Sequence, residues 1–162
     1  MIVRNELEAL AVAVEMERRA IRVYERALML ATNPKVTRGI QAILRDEQEH
    51  LKCFTTMRNR HHEHEVADAN LIKAMGAEML FPGGVMEMER AEGLTTLVGL
   101  YRFATESEHD AMMNYLDFAA RCDREEVRQA FVTIAREEAS HLAGLKDTLE
   151  ALEEEEARTA GQ

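Results

Sequence analysis

Four glutamates and two histidines stand where this sequence otherwise places core side chains. Glu47 and His50 are three residues apart, as are Glu138 and His141, and Glu17 and Glu108 each interrupt an apolar stripe. The stripes have the 3-4 spacing of one buried helical face. Leu7, Leu10, Val14, Ile21, Tyr24 and Leu28 surround Glu17, and Val36, Ile40, Ile43, Phe54 and Met57 surround Glu47 and His50. Leu94, Leu97, Tyr101, Ala104, Ala111, Tyr115 and Phe118 flank Glu108, and Val127, Phe131, Ile134, Leu145 and Leu152 flank Glu138 and His141. Buried carboxylates are costly, and four at one level also repel one another. No Lys or Arg occupies these seams. The compensating charge is therefore either protons, with the glutamates satisfied by mutual hydrogen bonds, or metal ions, for which the histidines supply nitrogen. One Glu from each of two helices and a Glu-x-x-His from each of two others is a donor set for two metal ions inside a helical bundle.

The elements that carry these residues repeat. Glu15 to Phe54 overlays Glu106 to Leu145 without a gap, at an offset of 91 residues, and ten of the 40 aligned pairs are identical. Glu17 aligns with Glu108, Tyr24 with Tyr115, Glu47 with Glu138 and His50 with His141. Two copies make a duplicated hairpin rather than a solenoid, which needs three or more. Asn5 with Glu8 forms a capping box for a first helix, Asn33 before Pro34 starts a second, and Asp123 with Glu126 is the expected cap of a fourth. Turns then fall near 32–33 and 122–123, the midpoints of the Glu17/Glu47 and Glu108/Glu138 pairs, so each pair lies at equal height in an antiparallel hairpin. The halves span about 4–64 and 89–155 of a single domain, 1–162. Between them, residues 65–88 contain Gly76, Pro82, Gly83 and Gly84 and read as a long crossover with a short apolar helical stretch at 71–81. Equivalent halves make helices two and three parallel, an up-down-down-up order.

Composition narrows the function. With 162 residues, 46% hydrophobic, 31% charged, eight Gly and two Pro, the chain suits one all-α domain. Thirty acidic against 20 basic residues leave a net charge of −10, which repels nucleic acid and anionic membrane. Cys53 and Cys122 form no CxxC pair, so neither a disulfide framework nor a rubredoxin-type iron site is expected. The start, MIVRNELEAL, lacks the apolar core of a signal peptide, and no run approaches the ~18 apolar residues of a membrane span. A soluble, cytoplasmic protein is the expectation. His61, His62 and His64 could form another metal site or a solvated helix end, and Glu153 to Glu156 reads as a solvated tail.

The segments EMERRAIRVYE, DEQEH, ESEHDAMMNYL and EEASH resemble the four helical motifs of the rubrerythrin branch of the ferritin-like di-iron carboxylate superfamily, over nearly the whole chain. Ala111 stands where rubrerythrins carry a further third-helix carboxylate, and no rubredoxin domain is expected. The resemblance implies a ferritin-like four-helix bundle of two pseudo-repeated antiparallel hairpins. Its metal ligands would be Glu17, Glu47, His50, Glu108, Glu138 and His141, with Glu47 and Glu138 bridging two iron ions, manganese or zinc also suiting the donors. No catalytic residue apart from the ligands is expected. Tyr24 and Tyr115 are either core aromatics or hydroxyls bonding ligand carboxylates, and Asp46 and Glu137 either orient His141 and His50 or face solvent. The implied function is a dinuclear-iron oxidoreductase reducing peroxide or O2 with electrons from a separate donor protein, in a homodimer. An iron-binding, ferroxidase or storage protein of ferritin type is the alternative, and a di-iron monooxygenase a third.

Overall fold

The computed structural model describes residues 3–60 and 96–161. Among these residues there are four helices and no strand: α1 Glu6–Leu30, α2 Pro34–Asn59, α3 Leu97–Ala119 and α4 Glu125–Ala160. The expected crossover, its apolar stretch, and His61, His62 and His64 lie outside the described residues.

Local chemistry starts three of the helices. The Asn5 side chain accepts from the Glu8 amide at 2.9 Å, and that of Asn33 accepts from Lys35 at 2.8 Å, with Pro34 in the first turn. Thr96, which the sequence reading did not single out, caps α3 by accepting from Gly99 at 3.0 Å. The fourth start corrects an expectation. Asp123 does not cap α4; the cap position is Arg124, with no side-chain cap of its own. Instead Glu6, from the first turn of α1, accepts from the Arg124 amide at 3.0 Å and also pairs with its guanidinium. A tertiary contact supplies the acceptor that the local sequence was expected to provide.

The helices form a bundle in which α1 packs on α2 and α3, and α4 on α3 and α2. Direction follows from the pairs that meet. Tyr24 reaches Glu108 while Tyr115 reaches Glu17, so α1 and α3 are antiparallel. His50 meets Glu137 while His141 meets Asp46, so α2 and α4 are antiparallel as well. With each hairpin antiparallel, α2 and α3 point the same way.

Two apolar cores occupy the two ends of this bundle. One joins Leu10, Phe54, Tyr115, Phe118, Val127 and Phe131; the other joins Tyr24, Val36, Ile40, Leu100, Tyr101 and Leu145. In the first, Phe54 and Phe131 lie 4.8 Å apart by ring centroid, within the range of favourable aromatic pairing. α1 is more buried than one stripe implies. Every residue from Glu8 to Glu17 is buried, and its alanines and valines allow close approach from several sides. The layer between the two cores is not apolar.

Candidate metal centre

Each helix contributes to that middle layer. Glu17 from α1, Glu47 and His50 from α2, Glu108 from α3, and Glu138 and His141 from α4 are all buried. They fall into two groups, Glu17, Glu47, His50 and Glu138, and Glu47, Glu108, Glu138 and His141. Within each group one ligand atom per residue lies within 4.8 Å of the others, and Glu47 and Glu138 belong to both. All six residues expected from the seam positions are therefore together, at one height.

The separations suit coordination. His50 Nδ1 is 3.1 Å from Glu138 Oε1 and 3.9 Å from oxygens of Glu17 and Glu47. His141 Nδ1 is 2.9 Å from Glu138 Oε2, 3.3 Å from Glu47 Oε1 and 3.8 Å from Glu108 Oε2. Donors each about 2.1 Å from a common ion sit roughly 3 to 4 Å from one another. Three buried atoms, Glu47 Oε1, His50 Nδ1 and Glu138 Oε1, have no hydrogen-bond partner among the described residues, although they approach their neighbours closely. Buried polar atoms are rarely left so. A cation among them would satisfy all three, and the donor set of four carboxylates and two imidazoles fits it. These groups could hold metal.

The surrounding residues hold the cluster side chains in place. Outward from the cluster, His50 Nε2 lies 2.7 Å from Glu137 Oε2 and His141 Nε2 lies 3.2 Å from Asp46 Oδ2. An ionised carboxylate only accepts, so each Nε2 carries hydrogen and donates, and a neutral ring then presents the Nδ1 lone pair inward. The half-exposed Asp46 and Glu137 thus meet solvent and orient the rings, rather than doing one or the other. Tyr115 donates to Glu17 Oε1 at 2.5 Å, and Tyr24 donates to Glu108 Oε1. Both tyrosines are core aromatics and partners of cluster carboxylates at once.

Charge in the metal-free cluster follows from burial and crowding. Burial, then the charge of Glu47, pushes Glu17 and Glu108 well above the ordinary carboxylate range. Burial also opposes ionisation of Glu47, but the approach of His141, His50 and Glu17 holds it down at about 2. Burial disfavours charge on His50 as well, yet Glu138 and Glu47 push it up to about 11, and Glu108, Glu138 and Glu47 raise His141 further. Burial, then nearby carboxylates, raises Tyr24 and Tyr115, keeping both hydroxyls available as donors. Protons thus supply the positive charge that a cation would replace.

A small cleft of about 20 Å3 between α1 and α3 opens onto Glu17, Glu47, Glu108 and Glu138. Apolar side chains of Met16, Ala20, Val23, Phe103, Ala104 and Ala111 form most of its wall, with Arg19 and Ser107 as further polar members. The histidines are not among its lining residues. Sequence reasoning missed this cleft, because no periodicity marks which two helices leave a gap. Cys53 is half-buried and outside both groups, and buried Cys122 contacts the Phe118 carbonyl at 3.2 Å.

Fold and site define a four-helix bundle with a buried carboxylate–histidine cluster that could hold metal. No described helix is long and apolar enough to cross a membrane. Comparison with protein-family models, curated proteins and solved structures finds no match.

Proposed function

We propose that this protein is a dinuclear-iron oxidoreductase of rubrerythrin-like type that reduces peroxide or O2 with electrons from a separate donor protein. The observation that carries this reading is the pair of overlapping four-residue groups sharing Glu47 and Glu138. Glu17 and His50 would complete one iron, Glu108 and His141 the other, and the shared glutamates would bridge them. Held by these six residues, two ferrous ions would supply the two electrons that a peroxide needs, with two protons, to become two waters.

The chain's own residues hold and shield this chemistry. Tyr24 and Tyr115 fix the terminal carboxylates of Glu108 and Glu17, while Asp46 and Glu137 hold the imidazoles. Apolar cores close the cluster off above and below. The mostly apolar cleft that opens onto the four carboxylates gives a small neutral oxidant a path toward them.

Metal analysis of the purified protein, followed by visible absorption after peroxide is added to the reduced form, tests the proposal. The expected result is close to two irons per chain in a small oligomer, with oxidation that saturates at that stoichiometry. Many irons per chain in a very large assembly would replace the proposal with a storage function. Absence of metal after loading with ferrous iron, manganese or zinc would overturn it.

A further inference from the structure

The 91-residue repeat makes one face of the bundle a control for another. Met113 and Leu116 on α3 are 53% and 45% exposed, although both are large and apolar. Helical spacing puts them on the outer side of the α3/α4 hairpin, where α4 adds half-buried Val132 and exposed Ala139 and Ala143. The repeat aligns these five with Arg22, Glu25, Gln41, Gln48 and Lys52, all exposed on the outer side of the α1/α2 hairpin. At the end of α3 the order is reversed, exposed Ala120 aligning with exposed Met29. Single exposed apolar side chains are ordinary. A contiguous group whose counterparts in an equivalent hairpin are polar marks a surface that another molecule covers.

The charges beside this strip select that molecule. Glu106 on α3 and Arg136 and Lys146 on α4 are exposed and form no ion pair among the described residues. One helix of the face thus offers an acid and the other offers bases, so the face complements itself. A second copy turned about a twofold axis parallel to the helices lays its α3 antiparallel on α4 of the first, and its α4 on α3. Within one chain Glu108 and Glu138 are level, so across the axis Met113 falls against Val132 and Thr133, and Glu106 within a turn or so of Arg136. Opposite charges then meet twice. An axis running across the helices would instead set α4 on α4, with Arg136 and Lys146 facing their own like.

The face is also large enough. The 23 residues of α3 make about 35 Å of helix, and two helices about 10 Å apart present a width of roughly 20 Å, or ~700 Å2 per copy. Stable dimers bury about 600 to 1,000 Å2 on each partner. We propose that the outer α3/α4 face is the surface on which two copies of this chain dimerise, each α3 lying antiparallel on the other copy's α4. The metal cluster takes no part, since its six residues are buried inside the bundle.

Light scattering on size-exclusion fractions and sedimentation equilibrium of the full chain test this. The parent is expected to be a dimer. Met113→Arg with Leu116→Glu installs the residues that the other hairpin carries at the same places, and it should raise the dimer dissociation constant about tenfold or more. The same exchange of sign on the first hairpin, Arg22→Glu with Glu25→Arg, should leave the dimer unchanged. Glu106→Arg should weaken the dimer about threefold or more, and adding Arg136→Glu should restore it, a compensation that an effect on folding would not produce. A monomeric parent would overturn the assignment. So would a dimer that Met113→Arg with Leu116→Glu leaves intact, the result expected if the copies exchanged hairpins, or charge variants whose effects add instead of compensating. If Met113→Arg with Leu116→Glu fails to fold by circular dichroism, the Glu106 and Arg136 variants decide the matter.

Discussion

Among the six cluster residues, substitution should separate shared from unshared positions. Glu47 and Glu138 belong to both groups, whereas His50 and His141 belong to one each. Glu138→Ala and Glu47→Ala are therefore expected to bind well under two metals per chain, and His141→Ala to retain more than either, as read by metal analysis after loading and desalting. Glu106→Ala is the suitable control because that residue is exposed on α3. Its counterpart Glu15 also lies outside both groups, but it is buried and held by Arg19, so its loss would disturb packing for unrelated reasons. The tyrosines yield a subtler effect. Tyr115→Phe and Tyr24→Phe each remove one donor to a ligand carboxylate and keep the ring, so metal affinity should fall by roughly tenfold or more with the fold intact. Competition with a chelator of known affinity measures this, and an unchanged affinity in both variants would show that the hydroxyls do not support the ligands.

At the scale of elements, the start of α4 is where local rule and tertiary contact differ. Asp123 precedes the helix and is exposed, while buried Glu6 accepts from the Arg124 amide and guanidinium. Glu6→Ala removes the buried acceptor of a part-buried charge-assisted pair and should cost about 1–2 kcal/mol in denaturant unfolding. Asp123→Ala should stay within about 0.5 kcal/mol of the parent. By contrast, Asn5 and Asn33 cap their own helices through contacts two or three residues away, and for that reason both were visible in the sequence. The reversed outcome, a costly Asp123→Ala and a silent Glu6→Ala, would restore the local cap.

For the molecule as a whole, metal and folding are linked. A ligand that binds only the folded state at a hundredfold above its dissociation constant adds about 2.7 kcal/mol, so chelation should lower the melting temperature by roughly 5–10 °C. The metal-free protein should also show an inverted pH dependence. His50, raised from 6.5 to about 11, contributes stability that is complete below pH 6.5 and lost as pH rises toward 11. Glu17 and Glu108, raised above 4.5, act in the same direction, their contribution falling as pH climbs past 4.5. Glu47, lowered to about 2, acts oppositely, but only as pH falls from 4.5 toward 2. The metal-free protein should therefore melt higher near about pH 5 than near about pH 8, and the metal-loaded protein the reverse, since protons compete with the cation. Calorimetry of both forms checks this. A metal-free protein that gains stability toward alkaline pH would show that the cluster does not hold protons in place of metal.

Periodicity alone placed Glu17, Glu47, His50, Glu108, Glu138 and His141 on buried seams, and the turn midpoints put each pair within a hairpin at equal height, because helical register is a local property that 3.6 residues per turn impose on any sequence. The first hairpin turn was equally legible, since Asn33 and Pro34 act within a few residues of themselves, whereas the cap expected at Asp123 for the second does not form. What depended on rotation and contact between helices was not. Which carboxylates both groups share, that Tyr24 crosses to Glu108 and Tyr115 to Glu17, and that Asp46 and Glu137 reach the opposite histidines are decided by how four helices turn about their axes. The same rotation leaves a cleft between α1 and α3 and brings Glu6 onto the start of a helix 118 residues away. Side-chain packing fixes these relations across sequence separations that no local pattern spans.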